Sequence, residues 1–204
     1  MSPPTRSSIS FRGSSQIISE FFEYSVNSIL YQRGIYPSDD FKSVKKYGLT
    51  LLVTHDEDIK AYIRKFMTQL HKWIINDKVS TFVLVIVNKN TGETVERWQF
   101  NIAINQEEEG EQSKQKSIED IQREIQAIIR QITASVTFLP TLEVNDYTFN
   151  ILVYADSSVN LPNNNEWIDS QDSKLVNNSE SVKFKSFSTN EHKIDTLVSY
   201  KLDK

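Results

Sequence analysis

Apolar residues recur at helical spacing in three stretches of this chain. In the first, Ile17, Ile18, Phe21, Phe22, Ser25, Val26, Ile29 and Leu30 line one face. Ser14 or Ser15 is placed to cap its start, and Gly34 with Pro37 beyond it marks the end. In the second, Ile59, Tyr62, Ile63, Phe66, Leu70, Trp73 and Ile74 follow Thr54-x-x-Glu57, a capping-box pattern. The third runs over about 117–138, ending near Leu139-Pro140. There Ile118, Ile121, Ile125, Ile128, Ile129, Ile132, Val136 and Leu139 project onto a stripe roughly 100° wide, which predicts core packing. Between the first two helices, Tyr36, Phe41, Val44, Tyr47 and Leu49 predict an ordered connection packed by aromatics, with a short strand at Leu49–Thr54.

Elsewhere the period shortens to two. Residues 81–87 form a continuous β-branched run, expected as a strand buried on both faces. A hairpin turn at 88–92 leads into 95–104, which sets Trp98, Phe100, Ile102 and Ile104 on one face. In 147–154, Tyr147, Phe149, Ile151 and Val153 alternate with Thr148, Asn150, Leu152 and Tyr154. A closing hairpin turns at 190–192; Val182, Phe184 and Ser186 share one face, and Ile194, Thr196, Val198, Tyr200 and Leu202 another. Two polar stretches interrupt the pattern. Residues 105–117 are acidic and predict a mobile loop; 155–180 is dense in Asn, Ser and Asp, with Trp167 isolated inside it. The order is helix, helix, hairpin, helix, strand, long loop, hairpin. That reads as α+β: three helices on a mainly antiparallel sheet in one domain, 11–204, after a flexible arm at 1–10.

Composition excludes more than it proposes. With no cysteine there is no disulfide, thiolate metal site or Cys nucleophile, which fits a reducing compartment, cytosolic or nuclear. The net charge of −4 and the scattered Lys and Arg give no nucleic-acid or membrane-surface footprint. No run is long and apolar enough to span a bilayer. Phosphate-loop, nucleophile-elbow and zincin motifs are absent. His55, His71 and His192 stand far apart in sequence, so no metal site and no cofactor is expected, and no enzyme.

What remains is binding, and two features point to it. The third helix has an unusual outer face, where Arg123, Ala127, Arg130, Gln131, Ala134, Thr137 and Phe138 replace the usual Lys and Glu. Small residues with an aromatic and an arginine suit an interface centre. The alternative is that Phe138 lies past the helix end and tucks under Pro140. The second feature is the tail: a two-stranded hairpin on a long polar lead is weakly anchored alone. Such a hairpin can leave one sheet edge and pair elsewhere, freeing an edge for an extended peptide. An ordinary terminal hairpin with a loose lead-in would read the same way.

Several blocks together resemble a known family. They are Phe21-Phe22 with 27–37 (NSILYQRGIYP), 46–52 (KYGLTLL), 96–100 (ERWQF), 129–133 (IRQIT) through 137–140 (TFLP), Arg12-Gly13-Ser14, and Phe187-Ser188-Thr189 before His192-Lys193. In order and spacing the chain, from about 10 to 200, resembles the HORMA-domain spindle-assembly-checkpoint family, mitotic-arrest-deficient two. The resemblance implies a non-enzymatic switch with open and closed states. In the closed state the tail, about 155–204, crosses a bound peptide as a safety belt, and its hairpin re-pairs on another sheet edge. The peptide pairs with the strand at 147–154, which implies Tyr147, Phe149, Ile151, Val153 and Tyr154 as peptide-binding residues. Trp73 and Trp167 either line the ligand channel or are plain core. The belt hairpin brings Val182, Phe184, Phe187, Val198 and Tyr200.

The partners so implied are the kinetochore checkpoint receptor and the anaphase-promoting-complex co-activator, which offer extended basic and apolar segments. Other checkpoint-complex subunits follow, as does an asymmetric open–closed self-dimer through Arg130, Gln131, Thr137 and Phe138. Residence would be nuclear, at kinetochores during mitosis, and also cytoplasmic. The alternative within the fold is a structural adaptor, a meiotic-axis protein or a translesion-polymerase accessory subunit. An axis protein would be expected to carry a long tail with its own closure peptide, whereas this chain stops after the belt.

Overall fold

A computed structural model describes residues 10–105, 115–162 and 167–202. The arm expected at 1–10 lies, but for Ser10, outside the described residues, as does most of the acidic loop expected at 105–117. The first helix, α1 (Phe11–Gln32), starts a turn before the expected caps: the Ser10 hydroxyl accepts the Gly13 N–H at 3.1 Å. Ser14 and Ser15 are fully buried within it. Its end is a Schellman turn, with the Ile35 N–H on the Leu30 carbonyl, the Gly34 N–H on the Tyr31 carbonyl, and Gly34 at φ +62°.

The connection after α1 is more regular than the sequence suggests. Strands β1 (Phe41–Lys46) and β2 (Leu49–Thr54) form an antiparallel hairpin. Tyr47 and Gly48 turn it at φ +51° and +68°, the double left-handed geometry of a two-residue hairpin turn. Helix α2 (Glu57–Ile75) is capped by Asp56, whose carboxylate accepts the N–H groups of Asp58 and Ile59, and not by Thr54. Thr54 is instead buried, its N–H donating to the Asn27 side chain at 2.9 Å.

The main sheet is antiparallel throughout. It comprises β3 (Val79–Asn88), β4 (Thr94–Ile104), β5 (Tyr147–Ala155), β6 (Ser179–Lys183), β7 (Phe187–Ser188) and β8 (His192–Lys201). Their spatial order is β5-β3-β4-β8-β6, with β7 also paired to β8. Phe82, Leu84 and Ile86 of β3 and Trp98 and Phe100 of β4 face the helices. Phe22 of α1 stacks on Phe82 at 4.8 Å, so one aromatic seam joins helix to sheet. On the opposite face Val83, Val85 and Val87 form a smaller cluster with Leu152.

Helix α3 (Ile118–Ala134) is shorter than 117–138; a single 3-10 turn, Ser135–Thr137, follows. Ile121, Ile125, Ile128, Ile129 and Ile132 are buried as the projection requires. Ile118 and Val136, placed on the same stripe, are 52% and 46% exposed. Ile118 is the first helical residue, at the exposed start of α3. Val136 lies in the tighter turn, where 100° per residue no longer holds.

Below the sheet a buried ion pair ties three elements. The Arg33 guanidinium meets the Glu96 carboxylate at 2.6 Å and also donates to the Pro140 carbonyl, while the Trp98 indole N–H reaches Glu96 at 3.1 Å. Burial pushes the Glu96 carboxyl up, against the pull of Arg33. Losing either partner would strand the other charge, so the pair fixes how α1, β4 and the chain after α3 meet.

Candidate functional site

Strand β5 is the end of the sheet. It pairs with β3 from Val79↔Ala155 to Asn88↔Tyr147, and among the described residues no strand lies on its outer side. Beside that edge is a cavity of about 290 Å³, lined by Trp73, Ile151, Val153, Tyr154, Trp167 and Asp169. Its outer wall is the segment leaving β5. That segment bends at Asp156, where the Asp156 N–H bonds the Lys78 carbonyl at 2.8 Å and the Lys78 ammonium reaches the Ser158 hydroxyl. It then brings Trp167 edge-on to Trp73 of α2, with ring centroids 4.9 Å apart. A second recess of about 210 Å³ adjoins it between Tyr62, Phe66, Ile151 and Trp167. Backbone edge, aromatic walls and a covering segment together make a slot for one extended chain.

The slot is acidic at its rim. Asp156, Asp169 and Asp172 line it. Hydrogen bonds from Ser158 hold the Asp156 carboxyl below its ordinary range, and bonds from Lys174 do the same for Asp172, so both stay ionised at neutral pH. A basic residue in an entering segment would meet opposite charge.

Not every expected peptide-binding residue reaches the slot. Trp73, Ile151, Val153, Tyr154 and Trp167 line it. Phe149 is buried between the rings of Tyr36 and Tyr62 and belongs to the core. Tyr147 lines a separate recess with Glu93, Leu142 and Lys201 at the far end of β5. Alternation puts Tyr147, Phe149, Ile151 and Val153 on one face but cannot say where along the edge the covering segment passes. Asp169, Tyr62 and Phe66 were missed because their approach to β5 depends on tertiary placement.

The tail hairpin lies at the opposite side of the sheet and is firmly paired. β8 runs along β4 from Ile104↔His192 to Glu96↔Tyr200, and β6 adds beyond it. Phe187 packs on Phe21 at 4.8 Å, Phe184 on Trp98 at 5.9 Å, and Val198 is fully buried. Val182 is half-buried in β6, and the Tyr200 hydroxyl donates to Glu180 at 3.1 Å. The hairpin is therefore not loosely attached in this arrangement. Phe184 lies just past β6 but shares the core-facing side with Val182, as expected, whereas Ser186 is exposed.

Its turn is clamped from three sides. The Ser14 hydroxyl lies 2.7 Å from His192 Nδ1 and 2.6 Å from the Thr189 hydroxyl, and the Phe11 ring sits 4.5 Å from the imidazole. The Asn105 N–H bonds the Glu191 carbonyl, and the Lys116 N–H the Asn190 side chain. Burial pushes the His192 imidazole down from its ordinary value, opposed by Asp77. The folded chain therefore prefers neutral His192, a preference fully present above the unfolded value near 6.5 and lost as pH falls toward the lower folded one. Amide protection at 187–193, measured relative to the intrinsic exchange rate at each pH, should fall on acidification from pH 7.5 to 5.5, and a His192→Gln variant should flatten that dependence. An equal fall in protection in both proteins would rule His192 out as the source.

The outer face of α3 divides in two. Arg130 and Thr137 are exposed, and Phe138 is 42% exposed with its ring 6.1 Å from that of Tyr200. Phe138 thus lies past the helix end, as the alternative expected, with its ring beside the tail. Gln131 is half-buried, and its side-chain carbonyl accepts the Lys185 N–H at 2.8 Å. Among the described residues no cluster of three or more metal-ligating side chains occurs.

The HORMA-domain family profile matches residues 14–192. The chain is 52% identical over 198 residues to the mitotic spindle checkpoint component MAD2 of Saccharomyces cerevisiae, covering 95% of this chain and 98% of that protein. It is 50% identical over 204 residues to mad2 of Schizosaccharomyces pombe, covering 99% and 98%. Identity to the human spindle assembly checkpoint protein MAD2A is 45%, covering 95% and 93%. Among solved structures, a chain of the mitotic checkpoint complex superposes with a TM-score of 0.84 at 51% identity, covering 93% of this chain and 99% of that one. Caenorhabditis elegans HTP-2, bound to the HIM-3 closure motif, matches with a TM-score of 0.75 at 16% identity, a likeness of fold alone.

Proposed function

This chain belongs to the HORMA-domain family as a Mad2-type spindle-checkpoint component, and from that premise we propose that it is a peptide clamp that works by moving its tail. The observation that carries the reading is the free edge of β5 lying beneath a segment whose far end is paired into the opposite side of the sheet. An extended segment would add to β5 as a strand, with its backbone supplying the hydrogen bonds and the aromatic walls selecting side chains. The described parts of the tail lead, 156–162 and 167–178, would close over it. This is the closed arrangement; in the open one the hairpin would leave β4.

The captured segments are those of the anaphase-promoting-complex co-activator and of the kinetochore receptor, and capture of the co-activator delays anaphase. Residues 11–204 act as one domain, with 155–204 as the belt. The protein works as an adaptor, in the nucleus and at mitotic kinetochores as well as in the cytoplasm. A receptor-bound closed copy recruits open copies through the Arg130 and Phe138 face of α3 and meets other checkpoint-complex subunits there. Two tail packings must then lie within a few kcal/mol, and a ligand that takes the population from 1:99 to 99:1 must prefer the closed one by about 5.5 kcal/mol. The acidic rim favours segments that begin with Lys or Arg and continue with apolar residues.

Hydrogen exchange on the full chain tests this with a synthetic peptide of that composition. The amides of β5 and of 155–202 should gain protection, and the peptide should leave over hours, because the belt has to unpair first. Binding without protection of β5, or release within seconds, would remove the clamp.

A further inference from the structure

Strand β4 carries a cation on the face the helices do not use. Trp98 and Phe100 point to the core, while Arg97, Gln99 and Asn101 line the opposite face, and Arg97 is only 7% exposed. A buried guanidinium ordinarily seeks a carboxylate. This one is satisfied by neutral oxygens from three separate parts of the chain. Nη2 donates to the Tyr154 hydroxyl of β5 at 3.0 Å, Nε to the Ser173 carbonyl at 3.3 Å, and Nη1 to the Gln99 side chain. Its guanidinium carbon also lies 5.9 Å from the centre of the Tyr154 ring. Gln99 is held in turn by Asn101 at 2.8 Å, and Asn101 by the Thr81 hydroxyl.

Ser173 belongs to the covering segment. The next residue, Lys174, has φ +48°, and its N–H bonds the Asp172 carboxylate at 2.9 Å. That local turn sets the Ser173 carbonyl over the middle of the sheet, above Arg97, which pairs with Val85 on one side and Ser199 on the other. Swinging the tail away would break the bond to Ser173 and leave the contacts to Tyr154 and Gln99 in place. Arg97 is thus oriented before the segment arrives.

We propose that Arg97 is the clasp of the belt, a positioning residue that pins Ser173 over the sheet, ties it through Tyr154 to the capture strand, and thereby sets how slowly a captured peptide leaves. This rests on the clamp reading. The chemistry asks for arginine, because a planar fork can serve three acceptors at once, whereas a lysine ammonium at this depth reaches fewer and loses the stacking on Tyr154. A charge-assisted hydrogen bond of this kind is worth about a tenfold change in a rate set by its rupture.

The test compares the full chain with Arg97→Met and Arg97→Lys, following release of a fluorescent basic-then-apolar peptide and hydrogen exchange in the peptide-free proteins. Release should be about tenfold faster from Arg97→Met. Arg97→Lys should lie near Arg97→Met and far from wild type. Exchange should rise at 170–176 while β3 and β4 keep their protection. Wild-type release from both variants, or exchange that rises evenly along β4, would overturn the clasp, the second because it marks a merely structural role. If the wild-type chain captures no peptide, the clamp reading falls, and local exchange at 170–176 still decides whether Arg97 pins the segment.

Discussion

A chain cut after Ile194 should lose slow release of captured peptide entirely while keeping its folded body. The cut removes Thr196, Val198 and Tyr200, all buried, together with the pairing of β8 to Glu96, Arg97, Trp98, Gln99, Phe100 and Asn101. Burying one large apolar side chain contributes about 1.5–3 kcal/mol, so Val198 and Tyr200 alone supply several. β6 pairs with β8 between 197 and 201, so it loses its partner as well. The covering segment keeps its contacts at Asp156, Trp167 and Ser173 but loses the paired strand that anchors its far end. A loss of this size exceeds the few kcal/mol that separate two tail packings in a switching fold, so the closed one empties. The body survives because Phe22, Phe82, Leu84, Trp98 and Phe100 pack helices on β3 and β4 without help from β8. Peptide release, melting by circular dichroism and exchange at β3 check this together. A truncated chain that releases peptide at the wild-type rate would show that the tail is no lock.

The helices and central strands were legible because each has one strong period. The isoleucine stripe of α3 and the β-branched run of β3 depend only on which face is buried, and sequence reports that directly. Boundaries were lost where local chemistry competes. Thr54 looks like a cap, but the Asn27 side chain claims its N–H from across the fold, and Asp56 takes the role. Strand β2 was read at Leu49–Thr54, but its hairpin with β1 was not, because Tyr47 occupies a left-handed turn position that Asn or Asp ordinarily fills.

The site was half legible for a different reason. The alternation at 147–154 names a strand, the family resemblance implies that a peptide pairs with it, and the isolated tryptophan at 167 hints at a packed lead-in. Neither says that Trp167 meets Trp73, or that Phe149 is enclosed by Tyr36 and Tyr62. Arg97 gave one usable signal, a charged residue at an outward position between two core residues of a strand. Its partners, Tyr154 and Ser173, lie 57 and 76 residues away, beyond any local pattern. Likewise His192 stands alone in sequence and meets Ser14 only because β8 brings it to the start of α1.

Arg130→Glu should abolish self-association and leave peptide capture intact, and the division of the α3 face explains both halves. Arg130 is exposed on α3 and free of the tail, so reversing its charge costs the fold little. Gln131, one residue on, holds the Lys185 N–H, and Phe138 rests against Tyr200, so the surface around Arg130 is built partly from the tail in its present position. A partner that docks there meets a different surface when the hairpin moves, which gives recruitment its dependence on state. An arginine at the centre of such a patch is typically worth 2 kcal/mol or more, roughly a thirtyfold or greater loss of affinity, and a reversed charge adds repulsion. Gln131→Ala should behave differently. By freeing the Lys185 N–H it loosens the hairpin, so it should weaken association and quicken peptide release together. Sedimentation velocity and peptide release, measured on both variants, separate the two roles. An Arg130→Glu chain that still associates like wild type would move the interface elsewhere on the molecule.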